Sequence, residues 1–195
     1  MYKTVQMPHV LLLYPKTGFD YGSTVAPPHS LLAVAAPVLK AGYSVKLFDQ
    51  RTQTINEDIL SRFISNDLIC VGISSMTGTQ IRNALQFSRL IRKLTDCKVP
   101  IVWGGAHPSI IPEQTVMNEN VDVVVIGEGE DSFLELVRAI ESKNKLSDVK
   151  SVMYKNGEKN VKTEERALLD IEDLLPVPWQ LIDVEKYIHR DMYIK

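Results

Sequence analysis

Five short apolar runs, each followed by a segment with helical spacing, constrain this chain more than any other feature. They cover residues 9–14, 43–49, 68–74, 99–103 and 121–126. Most are apolar throughout, the mark of strands buried on both faces of a parallel sheet. Between them, Leu31, Val34, Ala35, Val38 and Leu39 recur at helical spacing over 30–41, with Gly42 as the stop. Asn56 is an N-cap with Glu57 and Asp58 behind it. Thr79 is expected to cap a helix to about residue 94, a short helix covers 110–118 with Pro112 in its first turn, and Ser132 with Glu135 forms a capping box for a helix to about 142. Strands alternating with helices predict an α/β fold. The expected architecture is an open, doubly wound, flavodoxin-like (Rossmann-like) five-stranded parallel sheet in the order 2-1-3-4-5. Ligands in such sheets sit at the carboxyl ends of the strands.

The pattern changes after residue 142. Asn156-Gly157 between two β-rich runs predicts a hairpin. From residue 168, two prolines interrupt a tail rich in Leu, Val and Trp, which reads as a linker written to pack against something further along. The expected division is a ligand-binding domain over 1–145, a hairpin appendage over 146–167 and a linker over 168–195. At 195 residues, 45% apolar and 24% charged, with net charge −2, the chain has the composition of a globular protein. It lacks the field suited to nucleic acid. No apolar run approaches the roughly 20 residues of a membrane span. Residues 1–9 are too short and polar for a secretory signal. The two cysteines, Cys70 and Cys97, are expected to be free, buried thiols of a cytoplasmic protein.

The strand ends carry the chemistry. Trp103-Gly104-Gly105-Ala106-His107-Pro108-Ser109 puts two glycines where a strand stops, leaving room for a bulky group against bare backbone. Ser74-Ser75-Met76-Thr77-Gly78 and Gly127-Glu128-Gly129-Glu130 repeat the theme. Lys16-Thr17-Gly18 matches neither phosphate-loop motif, so nucleotide hydrolysis is not expected. A flavin loop would want hydroxyls directly before the first helix, and Ser23 and Thr24 stand behind a long turn through Gly18 and Gly22. A phospho-accepting receiver needs an aspartate where Ser74 stands. His107 is a loop organiser before it is a metal ligand, because zinc needs three or four clustered ligands. Glu128 and Glu130 are either an acid/base pair or stabilisers of a helix N-terminus. Met76 is equally a soft cofactor contact or a core side chain.

These motifs, in this order, resemble the N-terminal cobalamin-binding domain of B12-dependent radical S-adenosylmethionine (SAM) enzymes. The carriers are Ser-Ser-Met-Thr-Gly at 74–78, Trp-Gly-Gly-Ala-His-Pro-Ser-Ile-Ile-Pro at 103–112, Gly-Glu-Gly-Glu at 127–130 and Pro-Pro-His-Ser-Leu at 27–31. The segment Leu175 to Asp183 resembles that family's passage into its catalytic barrel. The resemblance implies a corrinoid on the carboxyl edge, with its nucleotide tail lined by Ser74, Ser75, Met76, Thr77 and Gly78. Gly104, Gly105, Ala106, His107, Pro108 and Ser109 would line it too, and Gly127, Glu128, Gly129 and Glu130 would close the far side.

Two departures refine this expectation. The Asp-x-His-x-x-Gly motif, whose histidine binds cobalt from below in methyltransferase and mutase domains, is replaced by Tyr14-Pro15-Lys16-Thr17-Gly18. Tyr14, Pro15 or Lys16 is then expected beneath the cobalt, with no metal ligand from the chain. Cys-x-x-x-Cys-x-x-Cys is also absent, so SAM and the 4Fe-4S cluster are expected only in a further C-terminal radical SAM barrel in cis. No catalytic residue is assigned to this chain. The full enzyme is expected to be a methyltransferase or a cyclase of the anaerobic magnesium-protoporphyrin monomethyl ester type. The competing expectation is a non-catalytic interaction module that keeps the fold and no longer binds cobalamin.

Overall fold

The computed structural model describes residues 9–21 and 25–188; Gly22, Ser23 and Thr24, residues 1–8, and residues 189–195 at the end of the expected linker lie outside the described residues. The strands are β1 (His9–Tyr14), β2 (Ser44–Asp49), β3 (Leu68–Ser74), β4 (Ile101–Gly104), β5 (Val123–Val125), β6 (Val152–Asn156) and β7 (Lys159–Lys162). The helices are α1 (His29–Lys40), α2 (Glu57–Ser61), α3 (Thr79–Thr95), α4 (Ala106–Ile110), α5 (Pro112–Val116) and α6 (Glu130–Glu141). Short 3-10 turns punctuate the tail at Ile171–Asp173, Trp179–Leu181 and Val184–Tyr187.

One sheet runs β2-β1-β3-β4-β5-β6-β7. Its first five strands are parallel in the expected order, and β6 and β7 extend it antiparallel. The sheet is therefore seven-stranded and mixed rather than five-stranded and parallel. Val152 and Met153 are buried against β5, which joins the hairpin to the core instead of leaving it outside. Its two-residue turn is Gly157-Glu158, one position later than the sequence signal, with Asn156 paired to Lys159.

The sheet separates two apolar layers. Val10, Leu12, Val102 and Val125 pack under α1 and α6, while Leu11, Leu13, Val71 and Trp103 pack under α2, α3 and α5. Trp103 is 2% exposed and donates its indole N–H to Ser88 Oγ at 3.0 Å, satisfying its one polar atom.

Helix starts differ most from expectation. Asn56 caps as expected, accepting from the Ile59 N–H at 3.0 Å. Thr79 does not cap α3; it is the first helical residue, preceded by Gly78 at φ +113°. The helix expected over 110–118 forms as the shorter α5 with Pro112 at its start, while an unexpected helix, α4, precedes it from Ala106 and Ile111 separates the two at φ −131°, ψ 63°. The Ser132–Glu135 capping box does not form, since α6 starts three residues earlier, behind Gly129. Ser132 is instead buried and accepts from Arg166 Nε at 3.2 Å, and Glu135 ion-pairs with the same guanidinium. Cys70 is buried, and desolvation pushes its thiol up to about 12; Cys97 is exposed, contrary to expectation, on a left-handed turn after α3.

Candidate functional site

The carboxyl ends of the strands and the starts of α1 and α6 enclose a cleft of about 180 Å3. Its floor is sheet: Leu12, Gly72, Val102 and Val125, with Ser74 and Gly104 at the edge. Ser30, Ala33 and Val34 of α1 form one wall, and Glu128, Gly129, Glu130 and Phe133 the other. The cleft exists because side chains are missing. A Cβ on Gly104 would find nothing nearer than Val125 Cβ at 4.0 Å, so that position opens onto empty space. Gly105 has another role. Its backbone lies at φ +96°, and a Cβ there would come 2.9 Å from the Ser75 carbonyl oxygen.

Close packing of the loops keeps the cleft open. Ser75 donates its N–H to the Gly104 carbonyl at 2.9 Å and accepts from the His107 N–H at 3.1 Å. Ser109 Oγ donates to the Gly105 carbonyl at 2.8 Å and accepts from the Gly127 N–H at 2.9 Å. These bonds tie the loops after β3, β4 and β5 in series. Gln80, 1% exposed, reaches the other way: its Nε2 donates to the Pro15 carbonyl at 2.8 Å and its Oε1 accepts from the Met76 N–H at 2.7 Å. Asn83 Nδ2 donates to the Lys16 carbonyl at 2.7 Å, and the Lys16 N–H donates to Gln50 Oε1 at 3.0 Å.

The sequence-predicted residues fall into three groups. Ser74, Gly104, Gly105, Gly127, Glu128, Gly129 and Glu130 meet around the cleft. Met76, Thr77, Gly78, Ala106, His107 and Pro108 form a separate rim beside it, where Met76 is exposed and Thr77 Oγ1 lies 3.3 Å from His107 Nδ1. Partial burial lowers the His107 pKa and favours the neutral ring. Tyr14 ends β1 and Pro15 and Lys16 follow it in the loop, outside the cleft lining. Tyr14 is covered: the Arg51 guanidinium lies 4.1 Å from its ring centroid. Among the described residues no three His, Cys, Asp or Glu side chains gather as a metal site.

Sequence patterns did not disclose Ser30, Gln80 or the Asp49–Arg51 pair. Asp49 and Arg51 side chains are 1% and 5% exposed and 2.7 Å apart, at the carboxyl end of β2. Arg51 also donates to the Ala26 carbonyl at 2.8 Å, and the Tyr187 hydroxyl donates to Asp49 Oδ2 at 2.9 Å. The tail touches the site's margin at two further points. The Leu169 N–H donates to Glu128 Oε2 at 2.9 Å, and Trp179 meets His29 edge-on at 5.4 Å. Only the Asp49 position at the end of a strand hinted at that cluster.

A family model described as the B12 binding domain matches residues 22–137. The anaerobic magnesium-protoporphyrin IX monomethyl ester cyclase of Synechocystis is 26% identical over 178 residues, covering 89% of this chain and 35% of that protein. An uncharacterized methyltransferase of Pyrococcus horikoshii is 29% identical over 167 residues, covering 84% and 36%. The chain thus spans about a third of the length of these curated relatives. Among solved structures, the radical SAM methyltransferase TsrM from Kitasatospora setae, with cobalamin and a 4Fe-4S cluster bound, superposes with TM-score 0.70 at 20% identity, covering 88% of this chain and 31% of that one. The cobalamin-dependent SAM radical enzyme OxsB, with aqua-cobalamin and SAM bound, gives 0.66 at 17% identity over 84% and 23%.

Proposed function

This chain belongs to the B12-binding domain family, and from that premise we propose that it holds cobalamin along the carboxyl edge of its sheet, with the nucleotide tail in the glycine-lined cleft. The observation that carries the proposal is the vacant side-chain position at Gly104, which faces open cleft where an ordinary strand would fill it. Ser74, Gly104, Gly105 and the 127–130 loop would border the tail, and Glu128 and Glu130 supply acceptors for amide or ribose donors at the mouth. The rim of Met76, Thr77, Gly78, Ala106, His107 and Pro108 would face the corrin periphery, with the buried Ser75 supporting it from behind. Bound cobalamin supplies a cobalt centre for methyl transfer or ring remodelling. The chain's own part is to bind that group, exclude water from its tail and present its upper face.

The chain's short span of its relatives supports a larger protein in which a radical SAM barrel in cis carries SAM, the 4Fe-4S cluster and the substrate site. A cytoplasmic location fits that reading; among the described residues no helix is long and apolar enough to cross a membrane. With no Asp-x-His-x-x-Gly after β1, the cobalt receives no histidine from that loop. Tyr14 is held under Arg51, which leaves Pro15 and Lys16 as the loop's nearest candidates for the lower face. Titration with hydroxocobalamin tests the proposal: a spectral change and retention at micromolar concentration are expected. Absence of both overturns it in favour of the non-catalytic interaction module. The paramagnetic resonance spectrum of the bound cobalt(II) form should show no nitrogen splitting, and a histidine pattern would refute the unligated lower face.

A further inference from the structure

The tail ties the two walls of the cleft to each other. On one side, Arg166 pairs with Asp131 and Glu135 of α6, and the Leu169 N–H donates to Glu128 Oε2 at 2.9 Å. On the other, Trp179 meets His29 edge-on at 5.4 Å, one residue before Ser30 of the α1 wall. Beyond it, Leu181 and Ile182 pack against the core and Tyr187 bonds to Asp49, so the far end is fixed. The middle is loose. Leu168, Ile171 and Leu174 are exposed, and the segment spans a chamber of about 520 Å3 over Pro37 and Leu134. Among the described residues, none of the tail lines the cleft itself.

Both fastenings face water: the bond to Glu128 is exposed, and so are Trp179 and His29. Each is therefore weak and opens often. A tie that grips the walls from outside and stands clear of the cleft fastens alike over a filled and an empty site. With no preference between those states it shifts no binding equilibrium. It sets instead how often the walls part. At about 180 Å3 the cleft is tighter than most ligand pockets, so a nucleotide base passes only when they do. The slack over the chamber lets the tie close again afterwards. Resting on the corrinoid reading above, we propose that residues 166–179 are a strap that gates exchange of the corrinoid, slowing capture and release together while it is fastened.

The test measures capture of hydroxocobalamin by stopped flow, and its release by chasing labelled with unlabelled ligand. Leu169→Pro deletes the N–H that reaches Glu128, and Trp179→Ala deletes the ring against His29. The double variant should capture and release about tenfold faster than the wild type, with Kd kept within about threefold. Ile171→Ala, in the loose middle, should keep wild-type rates. Unchanged rates in the double variant, or a Kd moved beyond about threefold as for a tail that competes for the cleft, overturn the strap. A second readout needs no corrinoid. The Leu32 and Phe133 amides bond in the first turns of α1 and α6, and in the free double variant they should exchange with deuterium about tenfold faster. Equal exchange overturns the strap. Failure of hydroxocobalamin to bind any variant overturns the corrinoid reading instead, and amide exchange then judges the strap alone. Should the double variant unfold, Leu169→Pro alone decides, with rates raised about threefold.

Discussion

Gly104 and Gly105 are adjacent and identical, yet substitution should reveal different roles. Gly104→Val places a branched side chain, favourable in a strand, into open cleft. Stability should change by no more than about 1 kcal/mol, while corrinoid affinity should fall more than tenfold. Gly105→Val forces a branched residue into a positive-φ backbone against the Ser75 carbonyl. It should cost about 1–3 kcal/mol, seen as a lower urea midpoint. The sequence alone treats the two as equivalent, because neither φ nor the direction of an absent Cβ is written in a Gly-Gly pair. His107 adds a pH dependence. Burial lowers its pKa below 6.5, so the unfolded chain binds the proton more readily. Its contribution is complete above 6.5 and declines as pH falls through that value toward the folded pKa. The thermal midpoint should drop over that window, and His107→Asn should flatten the slope.

Among the elements, the tail is the most informative. Residues after β7 return across the sheet's edge to place Tyr187 on Asp49. Removing that hydroxyl by Tyr187→Phe should cost about 1 kcal/mol. It should speed hydrogen exchange of the Lys186 and Ile188 amides, which bond within the same turn. Asp49→Ala would strand the buried Arg51 charge and should cost about 3–5 kcal/mol in urea unfolding. Strands were legible because a doubly covered sheet demands continuous apolar runs, and residues 68–74 can hardly be anything else. Helix starts were not. Thr79 and Ser132 match local capping patterns, but backbone glycines at 78 and 129 start those helices first. Ser30 and Gln80 were illegible for a different reason: their partners lie 44 and 65 positions away, beyond the reach of any spacing rule.

At the scale of the molecule, the hairpin decides where the folding unit ends. Without it, β5 would become the edge of the sheet, three apolar valines with unpaired backbone. A chain cut after residue 145 should elute as aggregate in size exclusion. One cut after residue 167 should elute as a folded monomer, with Lys159 and Lys162 guarding the β7 edge. A chain cut at 167 that also aggregates would move the limit into the tail. The bond from Gln80 to Pro15 then has a meaning for inheritance. The loop after β1 is held in position by a side chain on α3 rather than by the loop's own residues. Lys16 is held through its carbonyl and N–H, which any residue but proline provides. The loop's side chains are therefore at liberty to drift between lineages while its backbone keeps its place. A saturation library selected for folding should accept almost any residue at position 16 and almost none at position 80.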